Sequence, residues 1–582
     1  MTFFRHFLPV LILILSVTHG IAQETESKPT MAESIDNGVE PVANFADKWV
    51  FWGPEVKTGM TVPLVLVILA VTAIFLTVYF KFINLRGFGV ALRTAKLKYT
   101  KPDAPGEITH FQALSAALSA TVGLGNIAGV AVAIGIGGPG ATLWMILMGL
   151  CGMTTKFAEC TLGVKYRKFD KHGKVRGGAM YYLRDGLKEI GAGPIGAVLA
   201  IIFAIFVIGG AFGAGNMFQS NQAFSQFSST FLPATVAEAG NTPVIFGVIL
   251  AVLVGMVIIG GIVSIARVTA FLVPFMCGIY AIAALVIIVS NLGEVLPAFA
   301  TIFKSAFGPE AAAGGFIGVL IQGVKRAAFS NEAGLGSAPI AHSAVKTTKP
   351  ASEGFVALLE PFIDTVVVCT LTALVIIITG TWQVSAEVAA DGVNLVSAPG
   401  STEVVQALEK GQYIHTRESQ DGFKEVIGLI SRDDHEATAV TGWVAEGSVA
   451  GKGGVGVTSL AFESVIGWFP YILAIAVVLF AFSTMISWSY YGEQGVIYLF
   501  SFLDEQKIKI PVIIYKVVFC LLIIVGSSAT LGNILKLSDA LVFAMVLPNL
   551  IGVYFLLPVV RREMIDYLSH VKDIDSGGSG ND

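Results

Sequence analysis

Long apolar runs separated by short polar segments organise this chain. A membrane-spanning helix needs roughly 20 apolar residues. Such runs occur at 60–80, 110–134, 139–163, 196–220, 243–263, 267–290, 313–341, 355–380, 460–490, 511–528 and 538–560. The pattern predicts an all-α polytopic membrane protein with about eleven transmembrane helices. Ahead of them, Arg5 and His6 precede the apolar run from Phe7 to Val17 and the small end Gly20-Ile21-Ala22. That order of basic, apolar and small residues reads as a signal peptide over 1–22, cleaved on export. Residues 23–59 read as an exported, loosely ordered arm, with seven acids and three lysines over 23–57. A transmembrane domain over 60–565 and a short cytoplasmic tail over 566–582 complete the division.

Charge in the connecting segments sets the expected orientation, because short cytoplasmic loops collect Lys and Arg. Segment 81–109 holds Lys81, Arg86, Arg93, Lys96, Lys98 and Lys101. Segment 164–192 holds Lys165, Arg167, Lys168, Lys171, Lys174, Arg176, Arg184 and Lys188. Lys346 and Lys349 follow in 342–354, and Arg561 and Arg562 open the tail. All four fall on one side if the spans alternate. That side is expected to be the cytoplasm, with the chain in a bacterial inner (plasma) membrane. The C-terminus is then inside and the N-terminal arm outside. The loop insertion 381–455, with eleven acids and five bases, is placed outside too. Stretches such as Thr402–Leu408 and Lys424–Ile430 suggest that this loop orders into a small subdomain.

Composition agrees and excludes whole classes. Hydrophobic residues make up 54% and charged residues 13% of 582, against about 25% charged in a soluble protein. With a net charge of −4 and 64 glycines, the chain fits neither a soluble globular protein nor a nucleic-acid binder. The five cysteines lie in or beside spans and form no disulfide framework. No G-x-S-x-G, H-E-x-x-H or Walker-type loop occurs, so an enzyme is not expected. Without an ATP site, uphill transport would draw on an ion gradient.

Two spans carry polar residues and glycines near their middles. They are Ser119-Ala120-Thr121-Val122-Gly123-Leu124-Gly125-Asn126 and Phe329-Ser330-Asn331-Glu332-Ala333-Gly334-Leu335-Gly336-Ser337. Broken backbone at that depth must be buried in protein or line a cavity. With the first span set aside, these are the first and sixth of ten, the placement expected of a 5+5 inverted repeat. For each segment alone, a small-residue packing face is the competing reading.

The stretches G-L-G-N-I-A-G-V-A (Gly123–Ala131), F-S-N-E-A-G-L-G-S-A-P-I-A-H (Phe329–His342) and F-A-F-S-T-M-I-S-W-S-Y-Y-G-E (Phe480–Glu493) resemble the sodium:alanine symporters, the alanine or glycine:cation symporter family. The resemblance runs from about 60 to 565 apart from 381–455, and the long loop and arm look larger than the family usually has. It implies a LeuT-type fold with one extra N-terminal helix and with the first and sixth core helices broken. It also implies sodium-coupled import of a small neutral amino acid, alanine or glycine, by alternating access, with Na⁺ as the co-transported ion. Carried over, backbone carbonyls of Ser119, Val122 and Phe480 and hydroxyls of Ser483 and Thr484 would hold the sodium. N–H groups near Gly123, Gly125 and Asn126, with Thr121 and the Asn126 amide, would receive the substrate carboxylate. Acceptors around Phe329, Ser330 and Asn331 would take the ammonium. Gln219 would reach the site, and Phe329 and Trp488 would wall the side-chain pocket.

Local sequence leaves other readings open. Ser483 and Thr484 suit back-bonding to the preceding turn, and Gln219 suits an interhelical hydrogen bond. Lys325, Arg326, Glu332, Glu360 and Asp364 should face protein or water and pair. Asp364 reads as a second cation ligand, a proton carrier or a helix–helix partner. Rival functions are a proton-coupled neutral amino acid transporter, glutamine included, and a membrane sensor or binding protein using 381–455.

Overall fold

The computed structural model describes residues 31–57, 60–101, 103–233, 236, 241–308, 315–388, 392–401, 403–410, 412–420, 423–430, 437–445, 448–451 and 453–576. Residues 1–22, expected as a signal peptide, and the start of the arm lie outside the described residues. Among the described residues, seven helical rods are long and apolar enough to cross a membrane, or eight if the bent pair 110–137 is one span. Leu64–Tyr79 and Thr242–Ile258 are shorter apolar helices. The run 313–341 forms no continuous rod, for a reason that lies in its glycines.

The arm is helical from residue 31, where a loose segment is expected: α1 spans Met31–Val50. α2 (Leu64–Tyr79) follows. α3 (His110–Thr121) starts at a capping box, in which the Thr109 hydroxyl accepts from the Gln112 N–H and the Gln112 side chain accepts from the Thr109 N–H. These contacts satisfy N–H groups that a helix start leaves without partners. α3 stops at Val122. A wide turn at Gly125–Gly129 leads into α4 (Val130–Gly137), and the chain bends by 51° across the break. α5 (Ala141–Lys165) comes next. α6 (Gly193–Phe212) and α7 (Phe218–Phe231) flank another wide turn, Gly213–Met217. α8 (Thr242–Ile258), α9 (Gly261–Ser290) and α10 (Leu292–Phe307) continue the bundle.

α11 (Gly315–Asn331) ends where Glu332 takes a left-handed φ of 58°. Gly334 and Gly336 follow at φ 90° and 78°, conformations that glycine adopts without a steric penalty. Space also demands glycine: a Cβ on Gly334 would lie 2.4 Å from Leu69 Cδ2, and one on Gly336 2.7 Å from Asn549 Cγ. The short α12 (Pro339–His342) resumes the helix. α13 (Pro350–Ala357) and α14 (Thr370–Ile378) enclose a further irregular stretch, with wide turns at Phe362–Cys369. α15 (Val455–Glu463), α16 (Phe469–Leu499), α17 (Glu505–Ser528), α18 (Leu531–Phe543) and α19 (Val546–Asp575) complete the bundle. The expected tail is therefore helical through Asp575, as a continuation of α19.

The long loop departs from the all-α expectation and carries a seven-stranded antiparallel sheet. Its strands are β1 (Ala386–Val388), β2 (Val393–Val396), β3 (Val404–Leu408), β4 (Tyr413–Gln420), β5 (Phe423–Ile430), β6 (Ala437–Ala445) and β7 (Val449–Gly451). Their order is β7-β1-β4-β5-β6-β2-β3. Ala386, Val388, Leu395, Ile414, Val426 and Val444 belong to a core of its own, separate from the larger core of the helices.

Candidate functional site

The two broken spans meet. A Cβ built on Gly125 would lie 3.6 Å from Ser330 Cα and 3.7 Å from Phe329 Cδ1. At this junction a small cavity is lined by Ala120, Thr121, Gly125, Ala214, Gln219, Phe329, Glu332, Trp488 and Val542. Thr121, Gly125, Gln219, Phe329 and Trp488, all expected at a substrate site, therefore share one cavity. Trp488 is fixed by close approach: a Cβ on Gly215 would lie 2.3 Å from Trp488 Cβ. Phe329 is held edge-on by Phe218, with ring centroids 5.3 Å apart.

The polar partners depart from expectation in specific ways. The Gly123 N–H donates to Asn126 Oδ1 at 3.0 Å, so the loop caps itself. Asn126 Nδ2 donates to Asp364 Oδ1 at 2.6 Å and to Ser330 Oγ at 3.0 Å. The Asn126 amide is thus turned to Asp364, away from the role expected of it, and Gly123 gives its N–H to the cap. Ser330 joins this cluster too, donating to Asp364 Oδ2 at 2.8 Å. Gln219 Oε1 accepts from the Leu124 N–H at 3.2 Å and Nε2 donates to the Ala214 carbonyl at 2.9 Å. Gln219 therefore makes the interhelical bond and lines the cavity as well. Thr121 donates back to the Ala117 carbonyl at 3.1 Å. Asn331 lines a different small cavity, with Leu69, Thr72 and Gly152 among its neighbours, and its Nδ2 donates to Thr365 Oγ1 at 3.0 Å. Glu332 lines the first cavity in its place. Sequence puts that acid at membrane depth but not among the substrate residues; its seat beside Gly334 is the available signal.

The residues expected at the sodium site also come together, between α3 and α16. The Thr484 hydroxyl donates to the Ser119 carbonyl at 2.9 Å, and the Ser119 hydroxyl donates to the Ser483 carbonyl at 2.7 Å. Ser483 itself donates to the Phe480 carbonyl at 2.9 Å, the back-bonded arrangement that local sequence suggests. Thr484 instead crosses to the other helix. Val122, at the end of α3, is fully buried. All of these oxygens are neutral. Such a set can hold a hard cation without burying an unpaired negative charge, which is costly inside a membrane.

A second polar network joins further helices, and only part of it is expected from sequence. Glu353 pairs with His110 Nδ1 and, at 2.5 Å, with His342 Nδ1; His342 Nε2 lies 3.5 Å from Glu360, which pairs with Lys156 at 3.0 Å. Every member is fully buried. The network joins α3, α5, α12 and α13. Elsewhere Asn549 donates to Glu159, Lys516 pairs with Glu493 at 3.1 Å, and Lys325 and Arg326 share Asp539.

The model of the sodium:alanine symporter family matches residues 48–410 and 436–577. The sodium/alanine symporter AgcS of Methanococcus maripaludis is 38% identical over 502 residues, covering 86% of this chain and 93% of its own length. A Bacillus subtilis protein described as a "Probable sodium/glutamine symporter", GlnT, is 29% identical over 511 residues, covering 88% of each chain. Among solved structures, MhsT in complex with L-phenylalanine aligns over 77% of this chain and 88% of its own, at 16% identity and a TM-score of 0.46.

Proposed function

The chain belongs to the sodium:alanine symporter family, and we propose that it imports a small neutral amino acid, alanine or glycine, together with Na⁺ by alternating access. Membership makes it a multi-pass transporter of amino acids rather than an enzyme. The observation that carries the finer reading is the cavity at the junction of the two broken spans. The substrate carboxylate meets the Gly125 backbone and the Thr121 hydroxyl. The ammonium meets Glu332 and the carbonyls at the end of α11. The side chain packs against Trp488, Ala214 and Val542, where Trp488 is pinned by Gly215 and leaves room for a small group.

Sodium binds between α3 and α16, held by the Ser119, Val122 and Phe480 carbonyls and the Ser483 and Thr484 hydroxyls. Its entry replaces the direct Thr484–Ser119 hydrogen bond with two contacts to the ion. Because Ser119 and Thr121 lie on the same helix end, ion and substrate order the same backbone, and each favours binding of the other. One charge moving down 100 mV contributes about 2.3 kcal/mol to uphill import. The proposed frame is the LeuT-type inverted repeat, with the arm and the sheet domain outside and the C-terminus in the cytoplasm.

Thermal stabilisation of the purified protein by neutral amino acids, with and without Na⁺, tests the site. Alanine or glycine should raise the melting temperature most, and only with Na⁺ present. A larger shift with glutamine would overturn the substrate assignment, and equal shifts without Na⁺ would overturn the coupling.

A further inference from the structure

The N-terminal arm has more apolar surface than the protein covers. On α1, Ile35, Val39, Ala43, Ala46 and Val50 recur at helical spacing and pack on the main core. Val42, Phe45 and Trp49 form a neighbouring row, continued just past the helix by Trp52, and they are 55, 68, 68 and 66% exposed. Glu40, Asn44 and Lys48 occupy the remaining face. An apolar arc of about half the helix circumference, half of it uncovered, is the pattern of a helix lying in a membrane interface.

The position of the row agrees. The Trp52 carbonyl accepts from the N–H of Leu64, the first residue of α2, at 3.1 Å, and the Pro54 carbonyl accepts from the Val62 N–H at 3.0 Å. Trp52 therefore sits level with one end of an apolar helix. Leu64, Val67, Val71, Ile74 and Val78 of that helix are themselves exposed, as a lipid-facing surface would be. Tryptophan is enriched at that depth because its ring is apolar and its N–H is polar. The row on α1 leads, through Trp52, to the end of this surface.

We propose that Val42, Phe45, Trp49 and Trp52 dock into the lipid headgroup and acyl boundary, so that α1 lies along the bilayer surface. The covered face of α1 seats on the core at α18. Just past the helix the Phe51 and Phe543 rings lie 5.4 Å apart, and on the polar face Asn44 accepts from Lys536 at 3.1 Å. Val542 of the same helix lines the cavity. The arm thus ties the bilayer surface to a wall of the candidate site.

The test uses the full chain in vesicles of neutral phospholipid, comparing the wild type with Trp49→Phe/Trp52→Phe. The difference in emission isolates these two indoles. Lipids brominated near the headgroup end of the acyl chain should remove most of that difference signal, and aqueous iodide should remove little. Strong iodide quenching without lipid quenching would place the row in water and overturn the proposal. Protection from both quenchers, with a doubled particle mass in detergent, would assign the face to a second copy and overturn it as well. Phe45→Ser serves as a check on folding: on an exposed face it should leave the melting temperature near that of the wild type. Neither readout depends on transport, so failure here is distinguishable from failure of the symport reading.

Discussion

Replacing Gly123 by alanine places one methyl group at the most exacting point of the proposed ion site. The new Cβ would lie 2.4 Å from Thr484 Oγ1 and 3.2 Å from Gln219 Oε1. Ordinary contact is about 3.5 Å or more, so the overlap with Thr484 is about 1 Å. Thr484 can turn its hydroxyl away, but the oxygen then leaves its place 2.9 Å from the Ser119 carbonyl, and the ion loses a ligand worth about 1.5–3 kcal/mol. Keeping the hydroxyl in place instead strains the site by about 1–3 kcal/mol. Either route should weaken sodium binding by about 2 kcal/mol, or about 30-fold. Sodium-dependent alanine uptake into proteoliposomes reads this as a rise in half-saturating Na⁺. Thr484→Ala removes the colliding oxygen, so Gly123→Ala/Thr484→Ala should be little worse than Thr484→Ala alone, a non-additivity that marks direct contact. Wild-type sodium dependence in Gly123→Ala would remove this contact from the ion site, as would full additivity of the two changes.

Other perturbations follow from the same geometry. Trp488→Ala opens the cavity and removes a packed wall; it should cost about 3–5 kcal/mol of stability and shift substrate preference towards larger neutral amino acids, read by competition against labelled alanine. Asn126→Ala removes the donor 2.6 Å from Asp364 Oδ1; the partly unpartnered acid should cost about 1–3 kcal/mol, seen as a lower melting temperature together with loss of uptake. Lys156→Met leaves Glu360, paired at 3.0 Å and fully buried, without its cation and should destabilise by about 3–5 kcal/mol, with Lys156→Met/Glu360→Gln recovering part of the loss. Arg167 donates to the carbonyls of Pro105, Ser343, Val345 and Thr347; Arg167→Lys cannot span this set with one ammonium and should raise protease sensitivity in 342–349.

Particular elements show what sequence conveys and what it does not. Apolar length places α5, α9 and α17 well, because a long apolar helix depends little on its neighbours, whereas the run 460–490 starts nine residues ahead of α16 because it takes in the end of α15. The two breaks are legible because glycine and polar residues recur at mid-span in two matching positions, and Gly334 and Gly336 do adopt left-handed backbone. Partner choice is not legible. Asn126 could face a substrate carboxylate or Asp364, and only the packing of the Phe362–Cys369 segment decides for Asp364. Asn331 and Glu332 are adjacent in sequence, and the positive φ at Glu332 sends them to different cavities. The arm reads as loose because its acids mask a helical apolar spacing. Only two stretches of the loop, 402–408 and 424–430, stand out in sequence, since sheet order depends on pairing between distant strands.

The most direct test of the central claim is uptake of labelled alanine into proteoliposomes under an imposed sodium gradient, compared with a potassium control and with a protonophore. Sodium symport predicts concentrative uptake that requires Na⁺, persists with the protonophore and falls sharply in Thr484→Val. Uptake that ignores Na⁺ and collapses with the protonophore would contradict it.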